Sequence, residues 1–298
     1  MQTREWALVA FTLLMQLSIG TLLVVVALPL GVPRGAHPPT RLFDLPLLLA
    51  GLCAGASLLV SLLHLGHPAQ AWLALTNVRT SWLSREIVAS VLFVAAAGLF
   101  VLRRRGGPTA PLDATTVVVV LLGLAVLYTM SRLYMVPAQP AWNRVLTPLG
   151  FFLGALLLGA VFVLTTPIIA ARLGWPPGDA SIATAWALDP ALAQTLAFVA
   201  MGLLAAQALL TPIYVAGLPA EPAAAISAAS LGQSAAWLAA GRIAAAIVAL
   251  VFLRGLVVAA PGAPASIPLG ILAFALVATS ELLGRLLFYA GSVRIGPF

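Results

Sequence analysis

Residues 6–30 read WALVAFTLLMQLSIGTLLVVVALPL, twenty-five positions without a charge. A helix needs roughly 20 apolar residues to cross the hydrocarbon core of a bilayer. This run is too long for the roughly 7–15-residue apolar core of a secretory signal, and Glu5 precedes it. It therefore reads as a first membrane span. The same rule places further spans at 44–65, 86–103, 115–136, 146–172, 192–215, 235–259 and 267–290. Turn chemistry separates them: Gly31-Val32-Pro33-Arg34-Gly35, Gly106-Gly107-Pro108, Gly174-Trp175-Pro176-Pro177-Gly178-Asp179 and Pro261-Gly262-Ala263-Pro264. Ala216–Ser234 is small and polar, and a short surface helix is expected around Glu221–Leu231.

Composition agrees. The chain is 62% hydrophobic and 8% charged, with a mean hydropathy of +1.10, whereas soluble domains are about a quarter charged. The expected fold is all-α: a polytopic bundle of about eight transmembrane helices, with residues 1–298 forming one integral-membrane unit. The net charge of +7 does not point to nucleic acid, because the arginines stand mostly singly at the ends of apolar runs, where membrane surfaces are marked. The exception is Arg103-Arg104-Arg105. That cluster, in a short loop beside a span, argues that its side is cytoplasmic and that both termini lie outside, in a cytoplasmic (inner) membrane.

One cysteine, Cys53, cannot hold an iron–sulfur cluster. The three histidines (His37, His64, His67) offer no facing pair for haem, so no metal is expected on this chain. No phosphate loop, nucleophile triad or metal-ligand spacing is present.

The chemistry-bearing residues gather toward one side: His64, Glu86, Arg132, Tyr134, Trp142, Arg242, Glu281, Arg285 and Tyr289. A charge at mid-helix costs roughly 2.5–3.5 kcal/mol on insertion scales, so such groups are paired or used. Cys53, Ser57, Ser61 and His64 share one helical face, which fits either a tight helix contact or the wall of a wet cleft. Glu86 follows Ser84 at a helix start. An N-cap at Ser84 and the helix dipole account for it; so does a proton-exchanging carboxylate at the membrane edge. Glu281, Arg285 and Tyr289 stack at i, i+4, i+8, as a structural ion pair with an interfacial phenol or as part of a site. Arg132 stands between Tyr128 and Tyr134 near a helix end. Trp72, Trp82 and Trp142 suit an interfacial aromatic belt. The residues themselves suggest a surface suited to a lipid-soluble ligand that exchanges protons.

Several stretches resemble the membrane anchor subunit of dimethyl sulfoxide reductase. They are Glu5-Trp6-Ala7-Leu8, Leu62-Leu63-His64-Leu65-Gly66-His67-Pro68, Ala71-Trp72 and Arg79-Thr80-Ser81-Trp82-Leu83-Ser84-Arg85-Glu86-Ile87. Thr147-Pro148-Leu149-Gly150-Phe151-Phe152 and Glu281-Leu282-Leu283-Gly284-Arg285-Leu286-Leu287-Phe288-Tyr289 follow in the same order. The resemblance implies an eight-helix anchor beneath a four-cluster ferredoxin-like iron–sulfur subunit and a molybdopterin catalytic subunit holding molybdenum or tungsten. It implies binding and oxidation of menaquinol from the lipid quinone pool near the outer face, with electrons passed to the partner's [4Fe-4S] clusters. The family's quinol-site histidine falls on His64 and its implicated glutamate on Glu86. Arg132, Tyr134, Arg242, Glu281, Arg285 and Tyr289 are the further candidate quinol-binding residues, and Arg79, Arg85 and Arg144 candidate docking charges. An anchor run in reverse to reduce quinone, a transporter or proton channel, and a purely structural anchor are the competing readings. Ionisable groups confined near one surface count against the transporter, which would favour mid-membrane sites. The Pro-rich first loop and the Ala-rich segment before residue 235 depart from the family, so the terminal substrate stays open.

Overall fold

A computed structural model describes residues 3–31, 40–62, 72–73, 76–105, 113–173, 190–219, 222–259 and 263–291. These residues form eight long α-helices and no strand: α1 (Thr3–Gly31), α2 (Asp44–Leu62), α3 (Trp82–Arg105), α4 (Ala114–Tyr134), α5 (Leu146–Arg172), α6 (Pro190–Gly217), α7 (Pro222–Val258) and α8 (Ser266–Ala290). A 3₁₀ turn, Thr40–Phe43, precedes α2. All eight are long and apolar enough to span a membrane. A helix satisfies its own backbone groups, which a lipid environment cannot do.

The helices form two four-helix rings. In the first, α1 packs on α2, α2 on α3, α3 on α4, and α4 closes on α1; α5 to α8 repeat the pattern. The rings meet chiefly through α1 against α5, flanked by α4 on α5 and α1 on α8. Exchanging the halves maps these seam contacts onto one another. The arrangement therefore approximates a pseudo-two-fold relation between parallel halves, broken where α2 also packs on α5 with no comparable contact of α6 on α1, and no repeat is visible in the sequence. The spans of α1 and α5 are 67% and 72% buried, against 17–44% for the other six. These two helices are the shared core.

Glycine makes the seam close. A methyl placed on Gly20 would overlap the Ala155 carbonyl, and one on Gly159 would overlap the backbone of Gly20. Only hydrogen at both positions lets the α1 and α5 backbones touch, the small-residue contact typical of helices in lipid.

Three boundaries are informative beside the sequence reading. The third helix starts at Trp82, four residues before the expected 86. Asn77 closes a turn by accepting from the Thr80 and Ser81 amides at 3.1 and 2.9 Å, and the Ser81 hydroxyl then accepts from the Ser84 N–H at 3.3 Å. Ser81, not Ser84, is the cap, and Glu86 lies beyond the first turn, where the dipole no longer accounts for it. Asp113 caps α4 through the Thr116 N–H at 2.7 Å, a bond that holds its carboxyl below the usual carboxylate range. The helix expected around Glu221–Leu231 is present from Pro222. It breaks from the span at Gly232, whose φ of +47° suits glycine.

Candidate functional site

On the side where α1 begins and α8 ends, polar side chains from seven helices converge on the seam. Glu86 on α3 and Ser90, one turn further along the same face, are both buried. One Glu86 carboxylate oxygen and the Ser90 hydroxyl have no hydrogen-bond partner among the described residues. Glu86 lies within electrostatic reach of two phenols, Tyr134 and Tyr289. These end equivalent helices, α4 and α8, and their hydroxyls hydrogen-bond each other at 2.6 Å. The pair bridges the two rings near the pseudo-two-fold. Thr12 on α1 also contacts the Tyr289 hydroxyl. Aromatic rings hold the phenols in place. Trp142 stacks on Phe288 at 5.1 Å and donates its indole N–H to the Phe288 carbonyl at 2.7 Å, while Tyr134 meets Trp142 edge-on.

Deeper lies a second cluster. Arg285 Nη2 donates to Gln16 Oε1 at 2.7 Å, and its guanidinium lies 3.7 Å from the Phe151 ring centroid. Gln16 Nε2 donates to the Phe151 carbonyl at 2.6 Å. Arg242 Nη2 donates to Gln207 Oε1 at 2.7 Å and pairs with Glu281 at 3.2 Å. Two glycines make room. A methyl at Gly154 would come within 2.6 Å of Glu281 Oε2 and 3.3 Å of both glutamine Nε2 atoms. One at Gly284 would reach 2.6 Å from Arg242 Cζ. Arg285 joins the clusters, because its charge acts on Tyr134, Tyr289 and Glu281.

Gln16, Gln207, Arg242 and Glu281 each lie about ten residues, or ~15 Å, in from the termini-side ends of their membrane spans. The second cluster therefore lies below the first, still nearer the termini-side end of the bundle than the other. A cavity of about 80 Å³ borders this cluster, lined by Thr147, Phe151, Gln207, Tyr214, Arg242 and Glu281 among others.

The candidate residues thus sort into three groups. Glu86, Tyr134 and Tyr289 come together, and Arg242, Glu281 and Arg285 join them from below. Arg132 does not take part: its guanidinium lies over the Trp82 ring at 5.3 Å beside Met135, with Arg85 over the same ring at 4.3 Å. The helical turn from Arg132 to Tyr134 points the two side chains to different faces. His64 lies outside the described residues. On α2, upstream of it in sequence, Ser57 is buried and reaches Met15 Sδ on α1 at 3.9 Å, a helix contact. Of the docking candidates, Arg85 is spent on the Val78 and Arg79 carbonyls and Arg144 on the Gly217 carbonyl at 2.6 Å. Arg79 is exposed. Gln16, Gln207 and Thr12 escaped the sequence reading. Their signal was an amide or hydroxyl inside an apolar run, which must face protein rather than lipid.

A family model described as DMSO reductase anchor subunit (DmsC) matches residues 1–291. The chain belongs to the DMSO reductase anchor subunit family. Its relatives include the C chain of anaerobic dimethyl sulfoxide reductase from Escherichia coli, 28% identical over 98% of this protein and 96% of that one. The corresponding C chain from Haemophilus influenzae is 31% identical over 52% of this protein and 56% of its own length. The YnfH chain of anaerobic dimethyl sulfoxide reductase from Escherichia coli is 32% identical over 57% of each. The match thus spans little more than half the length of the last two relatives. Members of the anchor family hold reductase complexes to membranes, and the eight apolar helices of this one suit that role.

Proposed function

We propose that this anchor oxidises menaquinol at the seam between its two rings and delivers the electrons to an iron–sulfur subunit, itself bound to a molybdopterin catalytic subunit. The observation that carries this reading is the buried Glu86 carboxylate, one oxygen unpartnered, beside the Tyr134–Tyr289 pair. A buried acceptor without a donor is costly, and such groups in a native protein await a partner. A quinol hydroxyl supplies that donor, and the flanking aromatic rings suit its flat ring. The residues present therefore fit the ligand.

Quinol oxidation releases two electrons and two protons. Glu86 accepts a hydrogen bond from the hydroxyl and takes its proton to the nearby surface. The phenol pair can donate to or accept from the second oxygen, each hydroxyl doing either. His64, in the segment between α2 and α3, titrates near neutral pH and serves as the other proton acceptor in this reading. With a single cysteine the protein supplies no cluster of its own, so the electrons leave through the partner. The relatives' description as chains of a reductase supports that partnership. The Arg103–Arg105 cluster supports a cytoplasmic location for the opposite side, putting the termini and the quinol site outside the inner membrane.

The experiment is purification of the complex followed by menaquinol titration of wild type, His64→Ala and Glu86→Gln. Each variant is expected to lower quinol-dependent turnover at least tenfold while an artificial donor still reduces the partner subunits. Unchanged turnover in both variants removes the site from the seam.

A further inference from the structure

We propose that the ring of α5 to α8 encloses a water-filled shaft that exchanges protons between the membrane surface on the termini side and the Arg242–Glu281 pair. The cavity's upper wall is Leu146 and Thr147 at the start of α5, Tyr214 near the end of α6 and Phe288 near the end of α8. Its floor is Gln207, Arg242 and Glu281. It therefore runs along the ring's interior from the helix ends to about ten residues in.

Two observations make it wet. One water needs roughly 10–15 Å³ of such space, so about 80 Å³ admits on the order of five. The walls also offer partners: Gln207 Nε2, Arg242 Nε and Tyr214 Oη are buried and have no hydrogen-bond partner among the described residues. Cavities that stay empty are wholly apolar, whereas the wall of this one carries polar groups with unused valences among its apolar residues. A file of waters satisfies all three atoms and connects the floor to the surface.

Glu281 is the one carboxylate lining the cavity among the described residues. It faces Arg242 from α7, Gln207 from α6, Gln16 from α1 and the Gly154 backbone from α5, with Arg285 one turn along its own helix. Beyond Arg285 stand Tyr289, Tyr134 on α4 and Glu86 on α3; Tyr214 stands above on α6. The step is a plain proton transfer. A hydronium in the file gives its proton to a Glu281 oxygen and becomes water, and the reverse returns it; nothing is oxidised. Through Arg285 the shaft meets the seam phenols, so it provides a second exit for protons released there. That last link rests on the quinol reading, whereas the shaft itself does not.

The test uses the assembled complex in sealed vesicles, in a Cys53→Ser background. Thr211→Cys puts a thiol in the cavity wall, and Ile213→Cys, 57% exposed on the outer face, puts one at similar depth facing lipid. A membrane-impermeant thiosulfonate should modify the Thr211→Cys protein at least tenfold faster than the Ile213→Cys protein, and from one vesicle face only. Equal or slower labelling overturns the shaft. For the proton, pH-jump infrared difference spectra should show a carboxyl signal that is lost in Glu281→Gln, shifted in Glu281→Asp and retained in Glu86→Gln. An assembled Glu281→Asp complex with an unshifted signal overturns the role of Glu281. Fast labelling in a complex whose quinol turnover ignores His64→Ala and Glu86→Gln supports the shaft and removes the quinol reading alone.

Discussion

Replacing Arg242 by Met should destabilise the protein more than replacing Arg242 and Glu281 together. The pair sits at 3.2 Å with Glu281 4% and Arg242 14% exposed. At an effective dielectric of 20, two unit charges at that distance attract by about 5 kcal/mol. Removing the arginine leaves a buried, unpaired carboxylate against the Gly154 backbone. Breaking a buried pair in this way costs about 3–5 kcal/mol, roughly a hundred- to several-thousand-fold in the folding equilibrium. Arg242→Met also strands the Gln207 amide oxygen, a further loss of about 1 kcal/mol. With Glu281→Met added, the site becomes apolar and close in volume, and such double replacements are near neutral or stabilising. A double-mutant cycle read by detergent-induced unfolding should give a coupling of at least ~2 kcal/mol. A coupling below ~0.5 kcal/mol, or a double variant worse than either single, would refute the claim that the two charges exist for each other.

Other outcomes follow from the packing. Gly20→Leu should separate the two rings, since its side chain meets backbone on α5; overpacking of this kind costs at least about 1–3 kcal/mol, visible as a lowered Tm of the detergent-solubilised complex. Tyr289→Phe keeps the ring contacts and removes one hydrogen bond, so stability should fall by only about 0.5–1.5 kcal/mol, while quinol turnover falls further than that loss accounts for. Ser81→Ala should cost about 1 kcal/mol by uncapping α3 and loosen Glu86, measurable as faster amide exchange at residues 84–86. Gly232→Ala forces a methyl-bearing residue to φ +47°, with a penalty of about 1–2 kcal/mol in the same unfolding assay.

The number and course of the spans were legible because lipid demands about 20 apolar residues and turn chemistry punctuates them. Which face of each span looks inward was not. In lipid the outer surface is as apolar as the core, so the periodicity that marks a soluble helix is muted. That is why the pairing of α1 with α5 and the two-ring plan emerge only from the contacts. Polar residues were the exception: Glu281, Arg285 and Tyr289 at four-residue spacing do share a buried face. Arg132 lies apart from Tyr134 because a helix end near the membrane surface lets its long side chain reach the Trp82 ring, on which Tyr128 also packs. Glu86 was singled out at a helix start. The cap at Ser81, a turn earlier than expected, places it in the interior and leaves burial, not the dipole, as the fact to explain.

The phenol bridge has a mechanical side. It joins two rings that also meet through the glycine-lined α1–α5 backbone and, deeper, through the Gln16 hydrogen bonds, and a hydroxyl–hydroxyl bond of 2.6 Å is lost once the oxygens part by roughly half an ångström beyond its range of about 3.0 Å. A rocking of one ring against the other too small to open any helix interface is enough to break it. The same contact therefore works as a latch on the phenols: shut, it ties the end of α4 to the end of α8; open, it leaves the halves tied by the deeper Arg285–Gln16 bond.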